Sequence, residues 1–253
     1  MRALVKSAKR ATVIVSGGKV GSGFVVRGGY VVTCAHVLDG AASASVSNAY
    51  LGSAVAQVVE LDEGHDLAVL RLNLTSVPCL ELGTYGEFDE GDEVVFLGYP
   101  LGMNMHTTHR GIVSYKGRIK FDDLPEPVDA FSLDAAVNRG NSGGPVLAAE
   151  TGAVVGIVNT KLGELSKRLK EFRGEQEIVR ASGLRSTVQF GVVKFADGRQ
   201  VKAFDAGAAS DALAEVIDFL DNYTNAGIGY AISVDYVRQL ISTIDGQKEH
   251  PHA

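Results

Sequence analysis

The amino-acid sequence predicts a mainly β protein that consists of two small β-barrels lying side by side. Its apolar runs are short and rich in valine and isoleucine, a composition that favours strands over helices. The 30 glycines, against 6 prolines, supply turns between these runs. The runs form two groups, one on each side of a polar stretch at residues 78–92. Two such groups predict two closed barrels with a cleft between them.

Each predicted strand is an apolar or alternating run bounded by glycine or polar residues. The first group contains ATVIV (11–15), GFVVR (23–27), YVVTC (30–34), AVAQVVEL (54–61) and DLAVLRL (66–72). The second group contains EVVFLGY (93–99), HRGIVSY (109–115), AFSLD (130–134), GPVLAA (144–149), AVVGIVN (153–159) and GYAIS (229–233). We expect the first barrel to cover about residues 11–83 and the second about residues 92–246.

Residues 161–226 depart from this pattern of strands. Leucines and a phenylalanine recur at three- and four-residue spacing early in the segment, which is typical of an amphipathic helix. A hairpin over residues 187–204 and a second helix at about residues 210–222 follow. We therefore expect a helix–hairpin–helix insertion in the second barrel. After the last strand, Ser233 is the predicted N-cap of a C-terminal helix over Tyr236–Ile244.

Composition and charge narrow the classes of partner and the location. The net charge of −6 provides no basic face for phosphate groups, so we expect no nucleic-acid partner. No apolar run approaches the roughly 20 residues that cross a bilayer, so we expect no membrane partner. Two cysteines, Cys34 and Cys79, do not indicate a disulfide framework, and charges interrupt the N-terminal residues before they reach signal-peptide length. We therefore expect a cytoplasmic location, with a trimmed exported form as the alternative.

The strongest local signal is GNSGGP at residues 140–145. A serine flanked by glycines can expose its hydroxyl at a sharp turn and leave neighbouring backbone N–H groups available for an oxyanion. The letters also fit the G-x-S-x-G nucleophile elbow of α/β-hydrolases, in which the acid and the histidine follow the serine. After Ser142 the only histidines are His250 and His252, in a polar tail. Chain order therefore disfavours the hydrolase interpretation.

Suitable partners for Ser142 lie upstream, in the order histidine, acid, serine, which is the order of the chymotrypsin type. His36 follows the run YVVTCA, and Asp66 opens the run DLAVLRL. An imidazole at His36 would accept the proton of Ser142, and Asp66 would hold the imidazole in the correct tautomer. We therefore predict a catalytic triad. His65 competes for the role of base, but neighbouring strand residues point to opposite faces, so we expect it on the surface.

The motifs resemble, in chain order, those of the HtrA/DegP-type trypsin-like peptidases. They are GSGFVV (21–26), TCAHV (33–37), HDLAVLRL (65–72), GYPLG (98–102), GIVS (111–114), DAAVNRGNSGGPV (134–146), VVGIVN (154–159) and GIGYAISVDYV (227–237). The resemblance implies a chymotrypsin-like double β-barrel, a single peptidase domain over residues 1–253, and a serine endopeptidase that forms an acyl-enzyme on Ser142 without metal or organic cofactor. Such enzymes commonly carry a PDZ domain, for which we expect no room after the terminal helix.

The resemblance also implies roles for residues around the nucleophile. The backbone N–H groups of Gly140 and Ser142 would stabilise an oxyanion. Asn159 occupies the position that supports the triad acid. Ala136 occupies the base of the primary specificity pocket, and because it is neither acidic nor bulky it predicts cleavage after small or medium apolar residues. Arg139 stands in the same loop, where the family usually has proline.

The predicted partner is an extended or unfolded polypeptide that adds as a strand beside Ile157, Val158 and Asn159. The insertion at residues 161–226 follows directly, so we predict that it acts as a lid, a specificity element, or a contact with a second copy or a regulatory partner. Two alternatives stay open at this point. One is a catalytically silent peptide-binding or scaffold module on the same fold, and the other is an esterase.

Overall fold

The computed structural model describes residues 1–74, 77–100, 105–121, 123–159 and 227–249, together with the short stretches 193–194 and 200–201. Its helices are α1 (Arg2–Ala11), α2 (Ala35–Leu38) and α3 (Val234–Glu249), with a single 3₁₀ turn at Tyr85–Glu87 in these ranges. The strands are β1 (Thr12–Ser16), β2 (Val20–Val26), β3 (Tyr30–Cys34), β4 (Ser43–Asn48), β5 (Gly52–Asp62), β6 (Leu67–Arg71), β7 (Glu93–Gly98), β8 (Thr107–Ile119), β9 (Val128–Asp134), β10 (Pro145–Ala148), β11 (Val154–Asn159), β12 (Val193–Lys194), β13 (Gln200–Val201) and β14 (Ile228–Ser233).

Strands β1 to β6 close the first barrel in the order β1–β2–β3–β6–β5–β4, with antiparallel neighbours. Strands β2, β3 and β6 bury side chains on both of their faces, and Phe24, Val31 and Leu70 are among the fully buried residues. All five strands predicted in this half are present, but β4 has no predicted counterpart. In β4 serines alternate with Ala44 and Val46, which are buried yet too small to produce a strong apolar pattern.

Strands β7 to β11 and β14 close the second barrel in the order β10–β11–β14–β9–β8–β7. Phe96, Phe131 and Leu133 are fully buried in its core. All six strands predicted in this half are present, and the mainly β, chymotrypsin-like double barrel is confirmed. Strand β11 lies between β10 and β14, so its two edges are both paired within the barrel.

Helix α1 has no counterpart among the predicted elements. Its apolar side consists of the fully buried Ala8 and Ala11 and the partly buried Leu4 and Val5, which pack against the core. The Asn48 side chain holds the end of α1 by donating to the carbonyl oxygens of Arg10 and Thr12, at 3.0 Å and 2.9 Å. These bonds fix the point at which the chain enters β1.

The predicted C-terminal helix is confirmed as α3, which begins earlier and ends later than expected. The Asp235 N–H donates to the Ser233 hydroxyl oxygen at 3.2 Å, as expected for an N-cap. The Tyr30 hydroxyl donates to Asp245 Oδ1 at 2.6 Å and thereby joins α3 to β3. Within the described ranges, every helix is too short or too polar to cross a lipid bilayer.

The predicted insertion is described only at its hairpin. Strands β12 and β13 pair antiparallel, with Val193 opposite Val201 and Lys194 opposite Gln200, inside the hairpin expected over residues 187–204. The two predicted helices of the insertion lie outside the described residues. The boundaries proposed for the two barrels within one peptidase domain stay a prediction.

His106 lies just before β8 and packs edge-on against the Tyr99 ring, at a centroid distance of 5.5 Å. Its two ring nitrogens are buried and have no hydrogen-bond partner among the described residues. Burial lowers the pKa of His106 to about 4, and the nearby Lys9 ammonium adds to this shift. The imidazole is therefore neutral at pH 7.

We expect acidification to destabilise the fold through His106. In the folded chain the pKa of His106 lies below its ordinary value of 6.5. The contribution of the neutral ring to the free energy of unfolding is therefore fully present above about pH 6.5 and is lost as the pH falls towards about 4. The His106→Phe variant keeps an aromatic ring that cannot titrate. Its melting temperature should therefore fall less between pH 7 and pH 4.5 than that of the wild type. An equal fall in both proteins would contradict this assignment.

Candidate active site

The sheet register brings His36 and Asp66 together. Strands β3 and β6 pair with Cys34 opposite Leu67, and the two residues lie just beyond these positions, in α2 and in the turn before β6. The Ala35 N–H donates to the Asp66 carbonyl oxygen at 3.0 Å. Asp66 has a φ of 54°, a left-handed conformation that aspartate adopts more readily than most residues. This turn directs the Asp66 carboxylate towards α2.

Among the described residues, His36 and Asn159 donate three hydrogen bonds to the Asp66 carboxylate. His36 Nδ1 lies 2.6 Å from Asp66 Oδ2, and the His36 backbone N–H donates to Oδ1 at 2.9 Å. Asn159 Nδ2 also donates to Oδ2, at 2.9 Å. The Asp66 side chain is 3 % exposed and that of His36 is 18 % exposed. The carboxylate therefore fixes the His36 ring with a proton on Nδ1, which leaves the lone pair on Nε2.

Cys34 lies beside this pair. Its thiol donates a hydrogen bond to the Val158 carbonyl oxygen at 3.4 Å. Cys34, His36 and Asp66 each offer one possible metal-ligand atom, and these three atoms lie within 4.8 Å of one another. In the described part of the chain this is the only trio of side chains placed closely enough to share a metal ion. Because the Asp66 carboxylate already accepts bonds from His36 and Asn159, the geometry favours a hydrogen-bonded pair over a metal centre.

The loop that carries Ser142 packs against the end of β3, from which His36 follows. Gly143 has a φ of 84°, and a Cβ atom there would lie 2.2 Å from the Ser22 carbonyl oxygen and 3.0 Å from the Cys34 nitrogen. The Gly143 N–H donates to the Val158 carbonyl oxygen at 2.8 Å. Only glycine permits this approach. The buried Ser142 is therefore held beside the strand that leads into His36.

We expect Gly143→Ala to destabilise the fold and to displace the Ser142 loop. The substitution combines a left-handed conformation with backbone overlap, which together should lower the free energy of unfolding by about 2–4 kcal/mol. Gly40→Ala is the matched control, because Gly40 has a φ of 85° and nothing lies within 4 Å of its would-be Cβ. Denaturant unfolding should show a loss of only about 1 kcal/mol for that control. Equal losses would show that the close approach at Gly143 contributes nothing.

The two predicted oxyanion donors flank one peptide group of the Ser142 loop. Gly140 has a φ of 91°, and the intervening Asn141 donates its N–H to the Asn138 carbonyl oxygen at 3.0 Å. The Asn141 side chain is fully buried, and its amide atoms have no partner among the described residues. Nothing in the sequence pointed to this buried amide. It lies between the residues whose N–H groups matter most for the predicted chemistry.

The predicted substrate-binding residues fall into two classes. Ala136 and Arg139 are exposed in the loop that precedes Gly140. Ile157 and Val158, in contrast, are fully buried in β11. The Val158 N–H donates to the Gly144 carbonyl oxygen at 2.9 Å, and its carbonyl accepts the Gly143 N–H. Because these main-chain groups are already paired within the barrel, a substrate strand cannot add at Val158 as predicted. Asn159 is the remaining residue of the predicted strand-addition site.

His65 is not the surface strand residue that its sequence position predicts. It lies in the turn before β6, and its side chain is 32 % exposed. Its Nδ1 lies 2.7 Å from Asp62 Oδ2, and its ring stacks on Tyr236 of α3 at a centroid distance of 3.8 Å. A second His–Asp pair therefore holds the turn that precedes Asp66. His65 is engaged with a different carboxylate and does not compete for the role of base.

Comparison with known protein sequences gives a consistent family. The family model for the trypsin-like peptidase domain matches residues 21–157. A probable periplasmic serine endoprotease, DegP-like, from Hahella chejuensis is 41 % identical over 140 residues, which cover 54 % of this chain and 29 % of that protein. The magnetosome formation protease MamE of Magnetospirillum gryphiswaldense is 38 % identical over 147 residues, covering 54 % of this chain and 18 % of that protein. The chain thus spans less than a third of the length of these relatives.

Solved structures show the same fold. The HtrA-type protease AlgW with a tripeptide aligns with 96 % of this chain and 62 % of its own, at a TM-score of 0.65 and 24 % identity. A protease from M. tuberculosis in its active form aligns with 61 % of this chain and 72 % of its own, at a TM-score of 0.54 and 28 % identity. The aligned fold contains both barrels of the chain.

The expectation of a cytoplasmic location is wrong. The relatives from Hahella chejuensis and Pseudomonas savastanoi are named as periplasmic endoproteases, which points to an exported protein. Cysteine content misleads here because Cys34 is buried and Cys79 is a free exposed thiol, and neither state defines a compartment. The charged N-terminal residues form α1, so their composition reflects a surface helix of the fold.

Proposed function

Because the chain belongs to the trypsin-like peptidase family, we propose that it is a serine endopeptidase with Ser142 as nucleophile, His36 as general base and Asp66 as the acid that orients the base. The observation that carries this proposal is the bond between His36 Nδ1 and Asp66 Oδ2 at 2.6 Å. It leaves the basic lone pair on Nε2, the nitrogen that takes the proton of the serine in this chemistry. The exposed fraction of His36 leaves the ring open to a substrate.

The reaction divides into acylation and deacylation. Ser142 Oγ attacks the carbonyl carbon of a peptide bond as its proton moves to His36 Nε2, and the carbonyl electron pair moves onto oxygen. The N–H groups of Gly140 and Ser142 stabilise this oxyanion. When the oxyanion collapses, the C–N bond breaks and the amine leaves with the proton held by His36. Water then attacks the ester with His36 again as base, which releases the acid product and restores Ser142.

The finer specificity of the proposal rests on the loop before Gly140. Ala136 offers a methyl group that is exposed in this loop, so we propose cleavage after small or medium apolar residues. Arg139 is exposed nearby and would contact a substrate from the rim. We propose extended or unfolded polypeptide as the substrate class, supported by relatives named as endoproteases and by neighbours solved with a tripeptide and a decapeptide.

A role for residues 161–226 remains part of the proposal. The segment follows Asn159 directly in the sequence, so we propose that it limits access to the site or contacts a second copy or a regulatory partner. A variant that lacks residues 161–226 and keeps both barrels should differ from the wild type in cleavage rate, in cleavage preference or in mass in solution. No change in any of the three would contradict this role.

A fluorophosphonate probe tests the proposed activity directly. The probe forms a phosphonate ester with a serine whose proton is accepted by a neighbouring base, so the wild type should be labelled and should cleave an unfolded protein. Mass spectrometry should place the label on Ser142. If the wild type is neither labelled nor able to cleave, the chain is instead the silent peptide-binding module. Labelling combined with hydrolysis of small esters but not of proteins would identify an esterase.

A further inference from the structure

Ser22 in β2 contacts the Ser142 loop at two points, although no role follows for it from the sequence. The residue is fully buried. Its backbone N–H donates to the Ser142 carbonyl oxygen at 2.8 Å, and its hydroxyl donates to the Gly140 carbonyl oxygen at 2.6 Å. The same hydroxyl oxygen accepts the Tyr99 N–H at 2.9 Å, while the Ser22 carbonyl oxygen accepts the Thr33 hydroxyl at 2.7 Å. Each polar group of Ser22 is thus used.

The bond from Ser22 reaches the central peptide of the loop. The Gly140 carbonyl and the Asn141 N–H belong to one planar peptide group. Ser22 Oγ holds the carbonyl end at 2.6 Å, and the Asn138 carbonyl oxygen holds the N–H end at 3.0 Å. The N–H groups of Gly140 and Ser142 belong to the peptides immediately before and after this one. A single Cα atom separates each of these N–H groups from the peptide between Gly140 and Asn141. The orientation of that peptide therefore limits the directions in which the two N–H groups can point.

The surroundings make the Ser22 hydroxyl difficult to replace. A Cβ atom on Gly98 would lie 3.0 Å from Ser22 Oγ and 2.6 Å from Asn141 Oδ1, so the backbone of β7 closes this side of the loop. Gly140 lacks a Cβ atom, and its peptide can therefore rotate readily when a hydrogen bond is lost. Without the hydroxyl, the Gly140 carbonyl and the Tyr99 N–H would both lose their buried partner.

We propose that Ser22 is a positioning residue for the oxyanion hole. Its hydroxyl holds the peptide between Gly140 and Asn141 and thereby directs the two N–H donors at the position where the oxyanion forms. This inference rests on the proposed peptidase function. It assigns to β2 of the first barrel a direct influence on the rate of acylation at Ser142, and it requires no contact between Ser22 and the substrate.

The test compares Ser22→Ala and Ser22→Cys with Thr12→Val in the full chain. Loss of a whole oxyanion donor costs about 10²–10³-fold in kcat, so misdirection of the donors should cost roughly 10–100-fold, with KM within about threefold of the wild type. Ser22→Cys should lie between the wild type and Ser22→Ala, because a thiol is a weaker donor. The Thr12 hydroxyl is also fully buried and donates to a backbone carbonyl, that of Ala8 at 2.9 Å. Thr12→Val should lose stability and keep its kcat.

Two further readouts separate this proposal from a general loss of structure. The rate of fluorophosphonate labelling should fall with kcat, and the NMR signal of the proton between His36 and Asp66 should persist in Ser22→Ala, because Ser22 does not contact that pair. A kcat for Ser22→Ala within twofold of the wild type would overturn the proposal, as would an equal loss in Thr12→Val or disappearance of the NMR signal. An unlabelled wild type would instead overturn the proposed function.

Discussion

Ser142→Ala is expected to lower kcat on an unfolded protein by roughly 10⁶-fold, the loss seen when such a nucleophile is removed. Alanine lacks the oxygen that forms the acyl-enzyme, so only the remaining oxyanion donors and substrate binding can assist direct attack by water. The bond from the Ser22 N–H to the Ser142 carbonyl uses the backbone and should survive. The variant should therefore remain folded, with KM near that of the wild type, and should take up no fluorophosphonate label.

His36→Ala should cost about as much as Ser142→Ala, and the double variant should be hardly slower than either single one. The two residues act as a unit, since the hydroxyl is a poor nucleophile without the base and the base has nothing to activate without the hydroxyl. Single-turnover measurements on the three variants would establish this non-additivity. Additive losses would mean that His36 and Ser142 act in separate steps, which contradicts the proposed triad.

The fold could be predicted from the sequence wherever apolar side chains carry its pattern. Runs such as YVVTC and EVVFLGY are continuous apolar strands whose side chains are buried on both faces, and such runs are recognisable in the sequence. Strand β4 escapes the prediction because Ala44 and Val46 are buried but small. Helix α1 escapes it because its apolar residues are few and lie among basic ones. Their positions are set by tertiary contacts, such as the bonds from Asn48 to the end of α1, which have no signature in the sequence.

The family was predictable because chain order and flanking motifs are local properties of the sequence. The expected trypsin-like peptidase family is confirmed by the family model, and the expected similarity to DegP-like proteases is confirmed by the relatives. The roles assigned to His36, Asp66 and Ser142 stay a prediction, which the contacts of Asp66 support. The part played by Ser22 could not be found in the same way, because it depends on bonds between residues 118 positions apart. The second His–Asp pair likewise depends on a turn conformation and on the stacking of His65 on Tyr236.

Asp66→Asn is expected to lower kcat by about 10⁴-fold while leaving the chain folded. The wild-type carboxylate accepts donors at both oxygens, from the His36 backbone N–H at Oδ1 and from His36 Nδ1 and Asn159 Nδ2 at Oδ2. An asparagine amide has one acceptor and one donor end. In one orientation the NH₂ group of the new asparagine faces the His36 backbone N–H, so two donors meet. In the other orientation it faces the Asn159 amide and His36 Nδ1, and it forces His36 into the tautomer with Nε2 protonated.

Asp62→Asn provides the matched control for this substitution. Asp62 makes the same two contacts with a histidine, accepting the His65 N–H at 3.1 Å through Oδ1 and lying 2.7 Å from His65 Nδ1 through Oδ2. Its pair stacks on α3 and lies outside the proposed chemistry. We expect Asp62→Asn to lower the melting temperature slightly and to keep kcat within about threefold, so the two variants separate the chemical role of a His–Asp pair from its structural one. If Asp66→Asn keeps more than a tenth of the wild-type kcat, or Asp62→Asn loses as much, then Asp66 is not the residue that orients the base.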